Sequence, residues 1–164
     1  MRWSTLLAAA VLVAPAAAGG SRAVRADGVQ VTVPAAWTRL PPAADSAVSD
    51  PRTILVVGTR GVARRLTSCQ IAAYRVHGHA AVVVIVRWRT ATSGGGHVKP
   101  GRWPLTALTT VHRPSFECFS GRGAAASLTL GRHAYQVNVM VGDDATPGEV
   151  AEALAVGRSF RPAR

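Results

Sequence analysis

From position 28 onward, apolar and polar residues alternate in short bursts punctuated by Gly and Pro, and the period of each burst predicts its element. Val29, Val31 and Val33 alternate with Gln30 and Thr32 and stop at Pro34, the pattern of a half-buried strand over 28–34. Residues 35–51, with Pro41-Pro42 and scattered Asp and Ser, read as a loop that tucks Trp37 against the sheet. The β-branched run 53–59 predicts a second strand, and 60–67 a helical turn or loop. Segments 69–76 and 80–89 flank the turn signal His77-Gly78-His79 and are expected to form a hairpin. The run from Ala80 to Val86 does not alternate at all. A strand of that kind is dry on both faces and lies centrally in its sheet.

Further along, 90–101 is a Gly-rich loop built around Gly94-Gly95-Gly96. Leu105, Leu108 and Val111 follow Pro104 at helical spacing and predict a short helix over 104–112, with another strand at 115–119. The runs 125–130 and 133–141 are joined by Gly131-Arg132, and a Gly at the first turn position suits the twist of a two-residue hairpin. Thr146-Pro147-Gly148-Glu149 is a capping box with Pro at the first helical position. A helix over 147–157 follows, with Val150, Ala153, Leu154 and Gly157 on one face, and Ser159-Phe160-Arg161 anchors its end. The expected architecture is one α+β domain, a mainly antiparallel sheet of about five to seven strands with flanking helices including a C-terminal one.

The beginning of the chain reads differently. Arg2, an apolar stretch from Leu6 to Val13 and the tract Ala14-Pro15-Ala16-Ala17-Ala18 have the three-part layout of a secretory signal peptide over 1–18. The exported domain is then 19–164, secreted or held in the cell envelope. An uncleaved N-terminal anchor is the alternative, but the apolar run is shorter than the roughly 20 residues that span a bilayer.

At 164 residues, 48% apolar and 16% charged, the chain has enough apolar content for one core. Its net charge of +11 falls to +10 once Arg2 leaves with the leader. The excess is regional: 12 Lys and Arg face only Glu117 between positions 51 and 142. Outside a cell, such a field attracts anionic envelope polymers, lipid head groups or acidic proteins. Export also gives the two cysteines a meaning. An even count without a CxxC pair argues for a disulfide between Cys69 and Cys118, closing a loop that would stabilise the fold by about 4 kcal/mol in the chain-entropy model.

Pro34 and Trp37 ending the first strand, a long late hairpin, and a capped helix closing on Ser159-Phe160-Arg161 together resemble the PsbP/Mog1-like proteins. That resemblance implies a compact sheet flanked by helices and an accessory or binding role. The segments Asp50-Pro51, Phe116-Glu117-Cys118-Phe119 and Tyr135-Gln136-Val137-Asn138-Val139 are similar to small exported actinobacterial proteins of unassigned activity, which supports the paired cysteines and implies no catalytic residue.

Gly121-Arg122-Gly123 imitates part of a dinucleotide fingerprint, but a strand rather than a helix is expected after it. No Gly-x-Ser-x-Gly elbow, facing carboxylate pair or nucleic-acid-binding motif is present, so catalytic, cofactor and specific nucleic-acid roles are not expected. Arg87 and Arg89 share one face of their strand with Trp88 opposite, while Arg60, Arg64 and Arg65 cluster upstream. Convergence of the two groups would make a guanidinium patch for phosphate or carboxylate. The leading expectation is a secreted, non-catalytic binding protein engaging an anionic partner through these arginines. The alternative is a small hydrolase or metal-dependent enzyme using His77 and His79, joined by His97, His112 or His133. A purely structural subunit recognised by shape is the third reading.

Overall fold

The computed structural model describes residues 19–42, 50–64, 73–92, 99–112, 119 and 121–164. Among these residues, ten strands and one helix give an α+β fold in which every described strand pair is antiparallel. They run β1 (Ser21–Ala26), β2 (Val29–Pro34), β3 (Thr38–Arg39), β4 (Arg52–Gly58), β5 (Val62–Arg64), β6 (Tyr74–Val76), β7 (Ala81–Trp88), β8 (Arg122–Leu130), β9 (His133–Val141), α1 (Pro147–Arg158) and β10 (Arg161–Pro162). Instead of forming one sheet, they divide into a five-stranded sheet of order β3-β4-β7-β9-β8, a three-stranded sheet β1-β2-β10 and the pair β5-β6.

The non-alternating run has the predicted consequence. β7 lies between β4 and β9, with Val83 paired to Val57 on one side and Val139 on the other. Its residues 81–86 are all buried, each face against a different cluster. Ala81, Val83 and Ile85 join the main core, which also takes Val29, Val31 and Val33 of β2, Trp37, and Ala153, Leu154 and Val156 of α1. Val82, Val84 and Val86 meet Tyr74, Val56 and Met140 on the opposite face, with Val62, Val76 and Trp88 packed around them. A fully buried Val contributes about 2 kcal/mol, so neither cover is dispensable.

The helix forms where the capping box predicts. Thr146 accepts from the Glu149 N–H through its hydroxyl, and the Glu149 carboxylate accepts from the Thr146 N–H at 2.8 Å. At the far end, the Ser159 hydroxyl accepts from Thr32 N–H at 2.8 Å and Phe160 is fully buried against Tyr135, centroids 5.7 Å apart. The late hairpin also forms as expected, its turn at Gly131 with φ of 59°, though β8 starts earlier than expected, at Arg122.

Three expectations are corrected. Of the segment 69–76, the described strand β6 (Tyr74–Val76) pairs with β5 and not with β7, because this small hairpin lays Val62 and Val76 over the second face of the sheet. The same pairing makes 62–64 a strand rather than a helical turn or loop. Residues 104–112 form no helix and are irregular apart from a turn at Thr106-Ala107 and the bridge of His112 to Gly123. Leu105 and Leu108 enter the core one at a time, and their backbone is held by α1, with Leu105 N–H donating to Arg158 O and the Arg158 guanidinium to Leu108 O. Strand β1 was not expected from the pattern. The signal segment 1–18, Cys69, Cys118, Arg65, His97 and residues 115–118 of the expected strand lie outside the described residues. Among those described, no helix is long and apolar enough to cross a membrane.

Gly142, just past β9, packs against the 77–79 turn so closely that a Cβ there would run into the Gly78 carbonyl. Gly142→Ala is expected to destabilise the fold by about 1–3 kcal/mol, read as a lowered urea midpoint at unchanged slope. An unshifted midpoint would show that the turn is free to move.

Candidate functional site

Two chemically distinct regions lie at opposite ends of β7. At its start, the turn His77-Gly78-His79 is tied down by backbone bonds: Ala80 N–H donates to His77 O (3.0 Å), Asp144 N–H to Gly78 O (3.1 Å) and Gly142 N–H to Ala80 O (2.9 Å). Gly78 takes a φ of 57°, a conformation that favours Gly. Thr59 completes the frame, its N–H donating to Ala81 O and its hydroxyl accepting from Ala81 N–H, both at 2.9 Å.

This frame borders a cavity of about 390 Å³ lined by Trp37, Thr59, Arg60, His77, His79 and Glu149, among others. The sequence offers no carboxylate near the histidines, yet the fold delivers two. His79 Nδ1 donates to Glu149 Oε2 at 3.0 Å, and Trp37 Nε1 donates to Glu152 Oε1 at 2.7 Å. Glu149 is a helix-cap residue first, and its second contact spans 70 positions. Its carboxyl is held below the ordinary glutamate value, chiefly by the Thr146 N–H and next by the hydrogen bond from His79.

Of the other histidines, His112 exchanges backbone bonds with Gly123 on the far edge strand, and His133 sits at the opposite end of the sheet. The fold therefore brings neither to His77 and His79. Among the described residues, no group of three or more His, Cys, Asp or Glu is arranged to hold a metal ion.

The arginines do not converge as one patch. Arg60 stands by the start of β7, exposed beside the cavity, and Arg64 lies on β5. Arg87 and Arg89 are at the end of β7, about 20 Å away along the strand. Arg87 pairs with Asp27 at 3.4 Å, and Arg89 N–H donates to the Asp50 carboxylate at 3.0 Å. Sequence reasoning missed two further members of this second group. Arg52 is the register partner of Arg87, and Arg132 occupies the β8–β9 turn, where the neighbouring His133 Nδ1 donates to Trp88 O at 3.2 Å. Arg164 lies close by, since Ala163 N–H donates to Gly28 O next to Asp27.

The carboxylates are consequently concentrated at one end, beside Arg60 and Arg122, and the other end is left in basic excess. Of the six described carboxylate side chains, Asp143, Asp144, Glu149 and Glu152 gather near the cavity, and only Asp27 and Asp50 lie among the distal arginines. Compared with family models, curated proteins and solved structures, the chain matches none.

The depressed Glu149 carboxyl fixes the sign of a pH effect. A lowered folded-state value contributes stability that is present above the unfolded value, near 4.5, and lost as pH falls through the folded one. Glu149→Gln is therefore expected to destabilise the protein at neutral pH and to converge with the parent below the folded-state value. His79→Ala should raise the Glu149 titration, followed by carboxyl NMR, only part of the way to 4.5, because the larger cause is the Thr146 N–H. Complete recovery would assign the shift to His79 instead.

Proposed function

We propose that this chain is an exported, non-catalytic binding or accessory protein that engages an anionic partner through the basic end of its sheet. The observation that carries the reading is the basic excess at one end: Arg52, Arg87, Arg89 and Arg132 share that end of the sheet, while most of the described carboxylates lie at the other. Guanidinium groups spread over one end suit phosphate- or carboxylate-bearing polymers and head groups, which need no deep cavity. Release outside the cell rests on the leader-like segment 1–18, and a Cys69–Cys118 disulfide follows from that compartment. The PsbP/Mog1-like assignment rests on the order of elements, from a strand ending at Pro34 through the late hairpin to the helix closing on Ser159-Phe160-Arg161.

A second reading, a small extracellular hydrolase or metal-dependent enzyme using His77 and His79, draws on the His79–Glu149 pair beside the cavity. Metal analysis of the purified protein, with hydrolase assays on His79→Ala, separates it from the first.

Vesicles containing phosphatidylglycerol, or anionic wall polymer, should retain the protein at low salt and release it at about 0.5 M, where screening is short-ranged. Joint reversal by Arg52→Glu, Arg89→Glu and Arg132→Glu should weaken retention by roughly tenfold or more, whereas Arg60→Glu at the other end should change it little. Salt-independent retention, or equal loss from Arg60→Glu, contradicts the reading. Thiol labelling of the exported protein should modify neither cysteine before reduction and both after it; labelling without reductant removes the disulfide.

A further inference from the structure

The five-stranded sheet ends on β8, whose outer edge is secured only at its two ends among the described residues. Near its start, Gly123 exchanges main-chain bonds with His112, at 2.9 and 2.7 Å. Near its finish, Thr129 N–H donates to Lys99 O and Thr129 O accepts from Gly101 N–H, both at 2.9 Å. These bonds mark Gly123 and Thr129 as residues whose main-chain groups aim away from β9. The two-residue period of a strand turns Ala125 and Ser127 the same way. Neither makes a main-chain hydrogen bond in that direction among the described residues. Among the described residues, two N–H and two C=O groups are therefore open on an edge of small side chains, Ala124-Ala125-Ala126-Ser127, with Ser127 exposed.

The segment 101–112 links the two secured ends by a detour. It leaves the edge to send Leu105 and Leu108 into the core, and a cavity of about 450 Å³ remains between it and β8. Leu105, Ala126 and Leu128 supply apolar wall, and the exposed Lys99 and Arg102 supply cationic wall. Open edges invite another strand, and proteins commonly block them with charge, Pro or a bulge; none of these lies between Gly123 and Thr129.

We propose that this edge docks an extended acidic peptide segment. Its backbone adds a strand to β8 at Ala125 and Ser127, an apolar side chain enters the cavity, and a carboxylate lies beside Lys99 and Arg102. The free stretch between the two secured residues, Ala124 to Leu128, is about 14 Å long and accommodates roughly five residues. Charge complementarity selects an acidic segment over a second copy of the chain, whose net charge of +11 opposes edge-to-edge pairing.

The probes are two end-capped pentapeptides of alternating residues, one of Glu and Val and the other of Lys and Val, titrated against the full chain by calorimetry. The Glu-Val peptide is expected to bind and the Lys-Val peptide not. N-methylation of alternate amides in the Glu-Val peptide should weaken it by roughly tenfold or more, since it removes main-chain donors. Ser127→Pro deletes an outward N–H, a change that edge strands tolerate, and should abolish binding while leaving the thermal midpoint near the parent's. Joint Lys99→Glu and Arg102→Glu should shift preference to the Lys-Val peptide. Joint reversal at Arg52 and Arg89, two or more strands away from β8, should leave peptide binding intact, which separates this surface from the basic end. Failure of the Glu-Val peptide to bind, or equal binding of its N-methylated form, overturns the proposal. A concentration-dependent dimer lost in Ser127→Pro overturns it as well, by assigning the edge to a second copy.

Discussion

Double-sided burial of β7 is the constraint from which the rest of the architecture follows. Six consecutive apolar residues, Ala81 to Val86, leave no face of the strand for water. An antiparallel sheet normally hides one face and wets the other. Here each face must be roofed by separate material, and the chain supplies it from both directions. The β1–β2 hairpin and α1 close one side, while β5, β6 and residues around Tyr74 contribute to the other. The three separate sheets are therefore one layered solution to a single apolar ribbon.

That solution also positions the chemistry. After β9 the chain must reverse to lay α1 back over the sheet, so the N-terminus of the helix lies where β9 ends. The start of β7 is at that same end, because β7 and β9 are antiparallel. The capping carboxylate of Glu149 thereby meets His79, although each belongs to a turn with its own local purpose. Gly142 and Gly78 permit the close backbone approach that holds the two turns together.

The legible parts of the fold were those whose signal is local or lies within one unbroken run. The capping box, the Gly131-Arg132 hairpin and the unbroken apolar run each state their outcome within a dozen residues. Trp88 facing away from Arg87 was legible by the same two-residue period, and the structure packs it on the second cluster. β1 was not legible because only Val24 is buried in it, so no alternation exists to read. The pairing of β5 with β6 was hidden because three-residue strands carry too few apolar positions to define a face. Leu105 and Leu108 mislead for a different reason: a spacing of three serves a segment that dips twice into a core as well as it serves a helix. At the candidate sites, Glu149 was already explained as a cap, which concealed its contact across the fold. Arg132 would have joined Arg87 and Arg89 once β9 was placed beside β7, because that register sets the hairpin turn at the end of β7.

The concentration of carboxylates at one end then has a topological cause rather than a compositional one. Acidic side chains are favoured at a helix N-terminus, where unpaired N–H groups and the helix dipole present positive charge. Asp143, Asp144 and Glu149 lie immediately before or within the first turn of α1, so the reversal that roofs the sheet also gathers them at one end. The strand ends remote from that reversal carry Arg52, Arg87, Arg89 and Arg132, with Asp27 and Asp50 as their described counter-charges. A chain of the same composition with its helix reversed over the sheet would set these carboxylates nearer the arginines and weaken the field there, with the net charge unchanged. The basic end is thus tied to the direction of α1, which the burial of β7 and the length of the link from β9 together dictate.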